Sequence, residues 1–305
     1  MATLETQDFH LDEKLRGEIR RDSAFGSYIS KLRNEEPVDL TTESVLSFTN
    51  YSGAQAVAEG APKAETPFGT KVNKVERGQV VSQVRVSTRA LKKAEANKVK
   101  VLEAAQKTLA EGFGKSLDII LTHNTSPLDG SATVDFTRGL ATGADTLVHS
   151  IAADEAPDVA LRAAIAEQWT AEKNVNGIAV TPAFYAKLAY QTDSQNRLLY
   201  PQFTALPEDE WYFDGVKVVR TSAIANKRYV PNSEFATNID FLLGDWGTLS
   251  YGVELETLEL ITTGDPDNTG RDLKGHNEVM LRLESLVEAV IVDKAAIVVG
   301  KRETA

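Results

Sequence analysis

The sequence predicts an α+β protein built on a mixed sheet. Three observations lead there. One stretch, Arg89 to about Gly112, carries apolar residues at helical spacing with no internal proline or glycine. The middle of the chain alternates short helical stripes with short apolar strands. The last third is strand-rich, with apolar and charged residues alternating at period two. That order fits a mixed sheet with flanking helices better than a doubly wound parallel sheet.

The first forty residues are dense in charge (Asp12, Glu13, Lys14, Arg16, Glu18, Arg20, Arg21, Asp22) and sparse in apolar residues. Leu11, Leu15 and Ile19 fall on one face of a short helix, so the segment reads as a peripheral arm. From Ser47 to Lys74, Gly53, Gly60, Pro62, Pro67 and Gly69 interrupt any helical period. Val80, Ser82, Val84 and Val86 then alternate with Val81, Gln83, Arg85 and Ser87, as a strand does. Together these form a long two-stranded excursion, too polar for a core hairpin. A projecting hairpin is marginal alone and needs something to lie against.

Ser87 or Thr88 can cap the helix that follows. Leu91, Ala94, Leu102, Ala105, Leu109 and Phe113 make its apolar stripe, and Gly112 and Gly114 signal its stop. At 1.5 Å per residue it spans roughly 35 Å. Lys92, Lys93, Lys98, Lys100 and Lys107 mark its other face as solvated or interface-lining rather than DNA-binding. Pro157 suits a first helical turn, with Asp154 as a candidate cap and Leu161, Ala164, Ile165 and Trp169 as the buried stripe. Ile178 to Val180 is a short apolar strand. Thr181-Pro182 opens a helix carrying Phe184, Tyr185 and Leu188, and Gly215 opens a strand with Val216 and Val218 on one face. Tyr251 to Ile261 alternates with a slip between Val253-Leu255 and Leu258-Leu260, which a bulge explains. A turn-rich loop runs from Gly264 to Gly275. Val279, Leu281 and Leu283 alternate next, Asp293-Lys294 marks a turn, and Ala295 to Val299 is a final buried strand.

Composition narrows the chemistry. With 305 residues, 42% hydrophobic and 25% charged, the chain can fill one large or two modest domains. A net charge of −11 and an isoelectric point near 5.0 oppose tight wrapping of nucleic acid. They suit solubility, or a container whose wall must not stick to its contents. There is no cysteine, which excludes disulfides, thiolate metal sites and thiol catalysis. No stretch approaches the roughly 18 apolar residues of a membrane span. Met1 to His10 lacks the basic start and apolar run of a secretory signal.

His10, His123, His149 and His276 stand far apart, without zinc spacing. No nucleophile elbow, phosphate loop or dinucleotide fingerprint is present. Asp265, Asp267, Thr269 and Gly270 resemble half of a calcium loop. The twelfth position is His276 where that loop needs a bidentate glutamate, and Pro266 fits poorly, so the segment reads as an acidic turn. No catalytic residue, cofactor or metal is expected. About a quarter of the chain cannot bury itself, which points to burial on neighbours.

The order of these elements resembles the Hong Kong ninety-seven-like capsid fold of tailed phages, over roughly residues 45 to 300. Ala56 to Lys63 (AVAEGAPK) resembles the start of the family's extended loop, and Phe68 through Ser87 its return strand. Arg89 to Phe113 resembles the spine helix, and Lys115 to Asp118 the exit into the axial domain. Gly177 to Leu188 resembles the axial strand and helix, followed by Asp193 to Pro201 and Phe213 to Val219. Leu243-Gly244-Asp245-Trp246, Asn277 to Glu284 and Ala295 to Val299 complete the set. No single motif is specific; the ordered set is.

The resemblance implies an N-terminal arm (1–46), an extended loop (47–86), a peripheral domain with the spine helix (87–118), an axial domain (119–250), peripheral strands (251–290) and a closing axial strand with tail (291–305). It implies a major capsid protein whose pentamers and hexamers close an icosahedral shell around double-stranded DNA, in virions assembled in the host cytoplasm, without a membrane. Only about 45 residues precede the loop, so a separate scaffolding protein is expected, with portal and decoration proteins as further candidate partners. Glu59, Lys63, Lys71 and Lys74 are the candidates for loop-to-neighbour ion pairs, against the alternative that they are solvated. Some members crosslink a loop lysine to an asparagine; among Lys63, Lys71, Lys74, Asn268 and Asn277 the spacing identifies no pair. Two other readings stay open at this point: an encapsulin-type compartment of the same fold, and a soluble enzyme or binding protein.

Overall fold

The computed structural model describes residues 27–37, 39, 41–48, 56–63, 69–89, 98–128, 130–143, 145–225 and 238–303. The proposed arm helix with Leu11, Leu15 and Ile19, the loop residues Gly53, Pro67 and Phe68, and the early helix residues Leu91, Lys92, Lys93 and Ala94 lie outside them. In chain order come α1 (Tyr28–Leu32), β1 (Ser44–Phe48), β2 (Thr70–Lys74), β3 (Glu76–Ser87) and α2 (Lys98–His123). Next are β4 (Leu147–Ile151), α3 (Pro157–Thr170), β5 (Gly177–Val180), α4 (Pro182–Ala189) and α5 (Gln202–Ala205). Then follow β6 (Tyr212–Phe213), β7 (Val216–Arg220), β8 (Ile239–Gly244), β9 (Leu249–Ile261), β10 (Glu278–Ile291) and β11 (Ile297–Arg302).

Among the described residues these strands make three sheets: a β1-β2 ribbon, a three-stranded sheet β3-β10-β9, and a six-stranded sheet β4-β11-β8-β5-β7-β6. The expected bulge is present. Glu284 pairs with Thr257 and Ser285 with Leu255, so Glu256 is the extra residue in β9. The strand expected after Gly69 divides in two. β2 pairs only with β1, whereas β3 is the edge partner of β10 along its whole length.

Helix α2 does not stop at Gly112 and Gly114 but runs on to His123, and Lys115 to Asp118 is helix interior. A glycine inside a helix costs about 1 kcal/mol. Burying one large apolar side chain returns roughly 1.5–3 kcal/mol. Phe113, Leu117, Ile119, Ile120 and Leu121 are all buried beyond the expected stop, so tertiary burial outweighs local propensity. These residues join Leu281, Leu283 and Val287 of the three-stranded sheet and Leu242, Ile297 and Val299 of the six-stranded sheet in one core. A second core fills the other face of the six-stranded sheet, under α3 and α4, around Leu161, Ile165, Phe184, Leu188 and Phe241.

Local signals place α3 and α4. Thr181 caps α4, its hydroxyl accepting from the Phe184 N–H at 3.3 Å. Pro157 is in the first turn of α3, but the cap is Ala156 rather than Asp154, with no side-chain bond. Trp169 is 59% exposed, and Gln168 takes the inward position expected of it, donating to the Ala295 carbonyl at 3.4 Å.

Trp246 is fully buried in the first core, with its ring against Gly177. Its indole N–H donates to the Gly177 carbonyl at 3.0 Å, and a Cβ on Gly177 would stand 2.7 Å from the ring. Gly244 pairs with both Gly177 and Ile297. Its φ is +149°, and a Cβ there would lie 1.9 Å from the Ala296 carbonyl oxygen. Gly244→Ala is therefore expected to destabilise the fold by roughly 3 kcal/mol or more, read as a lowered urea midpoint with unchanged slope.

Candidate assembly surfaces

The β1-β2 ribbon has one covered and one open face. On the covered side Asn73 is fully buried, and its amide donates to Ser47 Oγ at 2.9 Å. On the open side the cross-strand pair Leu46 and Val72 is 56% and 64% exposed. The ribbon's root is firmly tied. The Val75 N–H donates to the Glu43 carbonyl at 3.0 Å. Glu76 accepts from the Thr137 and Arg138 N–H groups at 3.1 and 3.2 Å. Arg77 donates to Glu288 at 2.8 Å, to the Asp39 carbonyl at 2.6 Å, and to the Thr42 carbonyl. An open groove lies between ribbon and root, lined by Glu43, Val72, Lys74, Arg77, Val134 and Asp135.

The four candidate interface residues sit on this excursion. Glu59 and Lys63 belong to the described piece 56–63, Lys71 and Lys74 to β2, and all four are exposed. Among the described residues none of them is held in an ion pair. The structure brings Lys71 and Lys74 onto one strand and places Glu59 and Lys63 further along the loop.

The acidic turn 264–275 is built around a residue that sequence spacing could not supply. Arg85, on β3, sends its guanidinium into it. Nε donates to Asp267 at 2.7 Å, and the terminal nitrogens reach Asp265 at 3.1 Å, Glu278 at 3.1 Å, Thr269 Oγ1 at 2.9 Å and the Arg271 carbonyl at 3.1 Å. Asp265 in turn accepts from the Gly270 N–H at 2.6 Å and the Thr269 N–H at 3.2 Å. The residues that resemble a calcium loop thus surround a guanidinium. The hydrogen bond from Arg85 holds the Asp267 carboxyl well below the usual carboxylate range.

A third site anchors residues 27–31. Asp118, fully buried on α2, accepts from Ser27 Oγ at 2.6 Å, the Tyr28 N–H at 2.8 Å and the Ile29 N–H at 3.4 Å. The Tyr28 hydroxyl meets Thr122 Oγ1 at 2.6 Å, and its ring stands edge-on to Trp246 at 5.7 Å. On the other side, Lys31 pairs with Glu208 at 3.2 Å, and Lys217 donates to the Lys31 carbonyl at 2.9 Å. The segment therefore ties the helix to the six-stranded sheet.

Among the described residues no group of three or more His, Asp or Glu side chains is arranged to hold a metal. His123 is buried, its ring nitrogen 3.0 Å from the Ile224 carbonyl. His149 meets Glu167 at 3.0 Å, and His276 meets the Asp272 carbonyl at 2.8 Å. No helix among the described residues is long and apolar enough to cross a membrane.

A rooted ribbon, a helix buried between two sheets, and two helices over the far face of the larger sheet make the Hong Kong ninety-seven-like fold of a shell subunit. The phage capsid family matches residues 9–302, so the chain belongs to that family and is a major capsid protein, a structural component of the virion head. A solved structure from Mycobacterium phage Ogopogo superposes with a TM-score of 0.74 at 25% identity, covering 91% of this chain and 92% of that one. One from Gordonia phage Cozz gives 0.68 at 22% identity, covering 92% and 87%. The capsid of an empty GTA particle gives 0.55 at 16% identity, covering 92% and 90%; these last two show shared fold. No curated protein matches the chain. Of the readings that the sequence left open, the head protein is the one this family membership supports.

Replacing Arg85 with Ala is expected to release the turn, because Asp265 and Asp267 would lose the guanidinium they converge on, and Glu278 would keep only Arg271. Hydrogen exchange at Thr269 and Gly270 should accelerate while β9 and β10 stay protected. Lysine should not restore it, since an ammonium lacks the planar fork. In the wild type the depressed carboxyl contributes stability at neutral pH that is lost as pH falls below the ordinary carboxylate range. Protection of the turn amides, referred to an unstructured peptide at the same pH, should accordingly fall on acidification.

Proposed function

We propose that this capsid protein assembles into pentamers and hexamers that close an icosahedral shell around double-stranded DNA, with the N-terminal arm (1–46) and the extended loop (47–86) draping over neighbouring subunits. The observation that carries the reading is the ribbon itself. A two-stranded ribbon is marginal alone, yet this one shows Leu46 and Val72 to solvent from a tightly bonded root. A neighbour's surface would complete the burial that the root prepares. Glu59, Lys63, Lys71 and Lys74 supply exposed charges for register, since rim pairs steer association more than they add affinity. Each contact can be weak, because one subunit makes many at once. A net charge of −11 keeps the wall from adhering to the genome it encloses, so no sequence-specific DNA contact is needed. A separate scaffolding protein, a portal and decoration proteins are the partners this role implies, with assembly in the host cytoplasm.

The register of the ribbon defines the test. Phe48 and Thr70 are Cα partners, so residues 49–69 can be replaced by Asn-Gly, a two-residue hairpin turn. A deletion reaching residue 80 would also remove β2 and the Val80–Ser285 pairing of β3, confusing folding with assembly. The shortened protein is expected to fold and to yield no closed shells by electron microscopy and sedimentation; normal particles would rule out the loop's role. Reversing Lys63, Lys71 and Lys74 together to Glu is expected to slow assembly, followed by light scattering, and to weaken its dependence on salt.

A further inference from the structure

Between the β1-β2 ribbon and the three-stranded sheet the chain runs through a single residue. β2 ends at Lys74 and β3 begins at Glu76, so Val75 alone joins them. β2 pairs with β1, whereas β3 pairs with β10 from its first residue. The sheet side of this joint is fixed. Glu76 accepts from the Thr137 and Arg138 N–H groups, and Gly78 admits the buried Phe136 ring so closely that a Cβ would stand 2.6 Å from it. The ribbon side is seated only at its root, where Asn73 is buried; Thr70, Lys71 and Val72 are exposed. We propose that Arg77 is the positioning residue of this joint: its guanidinium fixes the angle at which the ribbon leaves the subunit, and so the curvature at which copies join, a role that rests on the ribbon and its loop meeting a neighbouring subunit.

The guanidinium ties the chain entering the ribbon to the sheet. Arg77 and Glu288 are Cα partners across β3 and β10, and Nε donates to the Glu288 carboxylate at 2.8 Å. A terminal nitrogen reaches the other way, to the Asp39 carbonyl at 2.6 Å and to the Thr42 carbonyl. Those carbonyls belong to the turn that feeds β1. The Asp39 carboxyl shapes that turn, accepting from the Thr41 N–H at 3.0 Å and from the Thr41 and Thr42 hydroxyls at 2.6 Å. Both strands of the ribbon are thereby referred to β10. β2 is held through Val75, whose N–H donates to the Glu43 carbonyl at 3.0 Å, and β1 through the turn that Arg77 grips. The two charged side chains are 22% and 15% exposed, so little water competes for the grip. A planar fork with donors pointing two ways suits this bridge, and an ammonium does not.

A small angle matters because the ribbon is a lever. Its strands have five residues each, which at about 3.4 Å per residue make an arm of roughly 17 Å. A swing of about 10° moves the far end by roughly 3 Å, several times the spread of hydrogen-bond distances. A head-to-tail contact closes only when the same rotation recurs between copies, and a spread of rotations gives open or unequal assemblies. The grip of Arg77 therefore acts on the geometry of the particle, beyond any contribution to the subunit's own stability.

The chain contains no cysteine, so Val72→Cys on the ribbon and Val81→Cys on β3, both exposed, can carry a pair of spin labels in the full-length, unassembled protein. One narrow distance distribution is expected with Arg77 in place. Arg77→Ala, Arg77→Lys and Glu288→Ala are each expected to broaden it while the far-ultraviolet dichroism is unchanged. Without labels, the same variants should assemble into particles of mixed diameter and open sheets, seen by electron microscopy and sedimentation. An unchanged distance distribution in these variants overturns the grip. A broadened one accompanied by uniform particles of wild-type diameter overturns its link to curvature. If Arg77→Ala does not fold, Arg77→Lys and Glu288→Ala give the same two readouts. Normal shells from the protein lacking residues 49–69 would sink the loop's role, and the curvature link with it; the label distances, read before assembly, still decide whether Arg77 sets the angle.

Discussion

One constraint organises the molecule: a single helix must be buried on two sides. Helix α2 presents Leu109, Phe113, Leu117, Ile120 and Leu121 to a core shared by both larger sheets. A helix buried that widely cannot obey its local stop signals, because ending early would leave one sheet without a partner. Its length also fixes where other parts attach. Asp118 and Thr122 fall in the stretch beyond the glycines, and both hold Tyr28. Residues 27–29, the six-stranded sheet and the strands β3 and β10 are thus positioned by the same few turns.

Much of this was legible because it is written locally. The Thr181-Pro182 cap, the proline at the start of α3, the bulge in β9 and the final strand each depend on residues a few positions apart. What was misread depends on distance. Trp169 and Gln168 are adjacent, and only the Ala295 carbonyl far along the chain decides that the amide goes in. The glycines of α2 looked like an end because sequence shows their propensity but not the two sheets that override it. The candidate assembly residues were found by their place in the loop order, and the structure shows them exposed. Arg85 and Asp118 were missed as organising residues: the partners of Arg85 lie some 180 residues away and those of Asp118 some 90.

The charges follow a division of labour. Those that shape the subunit are enclosed in multi-point ties, such as Arg77 with Glu288 or Arg302 with Asp240 at 2.7 Å. Glu59, Lys63, Lys71 and Lys74, among the described residues, are held in no ion pair. Isolated surface pairs contribute little to stability, so free lysines on the ribbon cost the fold almost nothing. A shell subunit needs this separation, because a side chain already committed within its own chain has nothing to offer the next copy.

The turn at 264–275 carries one further consequence. Its acidic side chains converge on a positive centre, but that centre is covalently part of the protein. The turn takes its shape when the chain folds and needs no loading with a divalent ion. A chelator has nothing to extract from it, so this corner of the head is indifferent to swings in free calcium or magnesium outside.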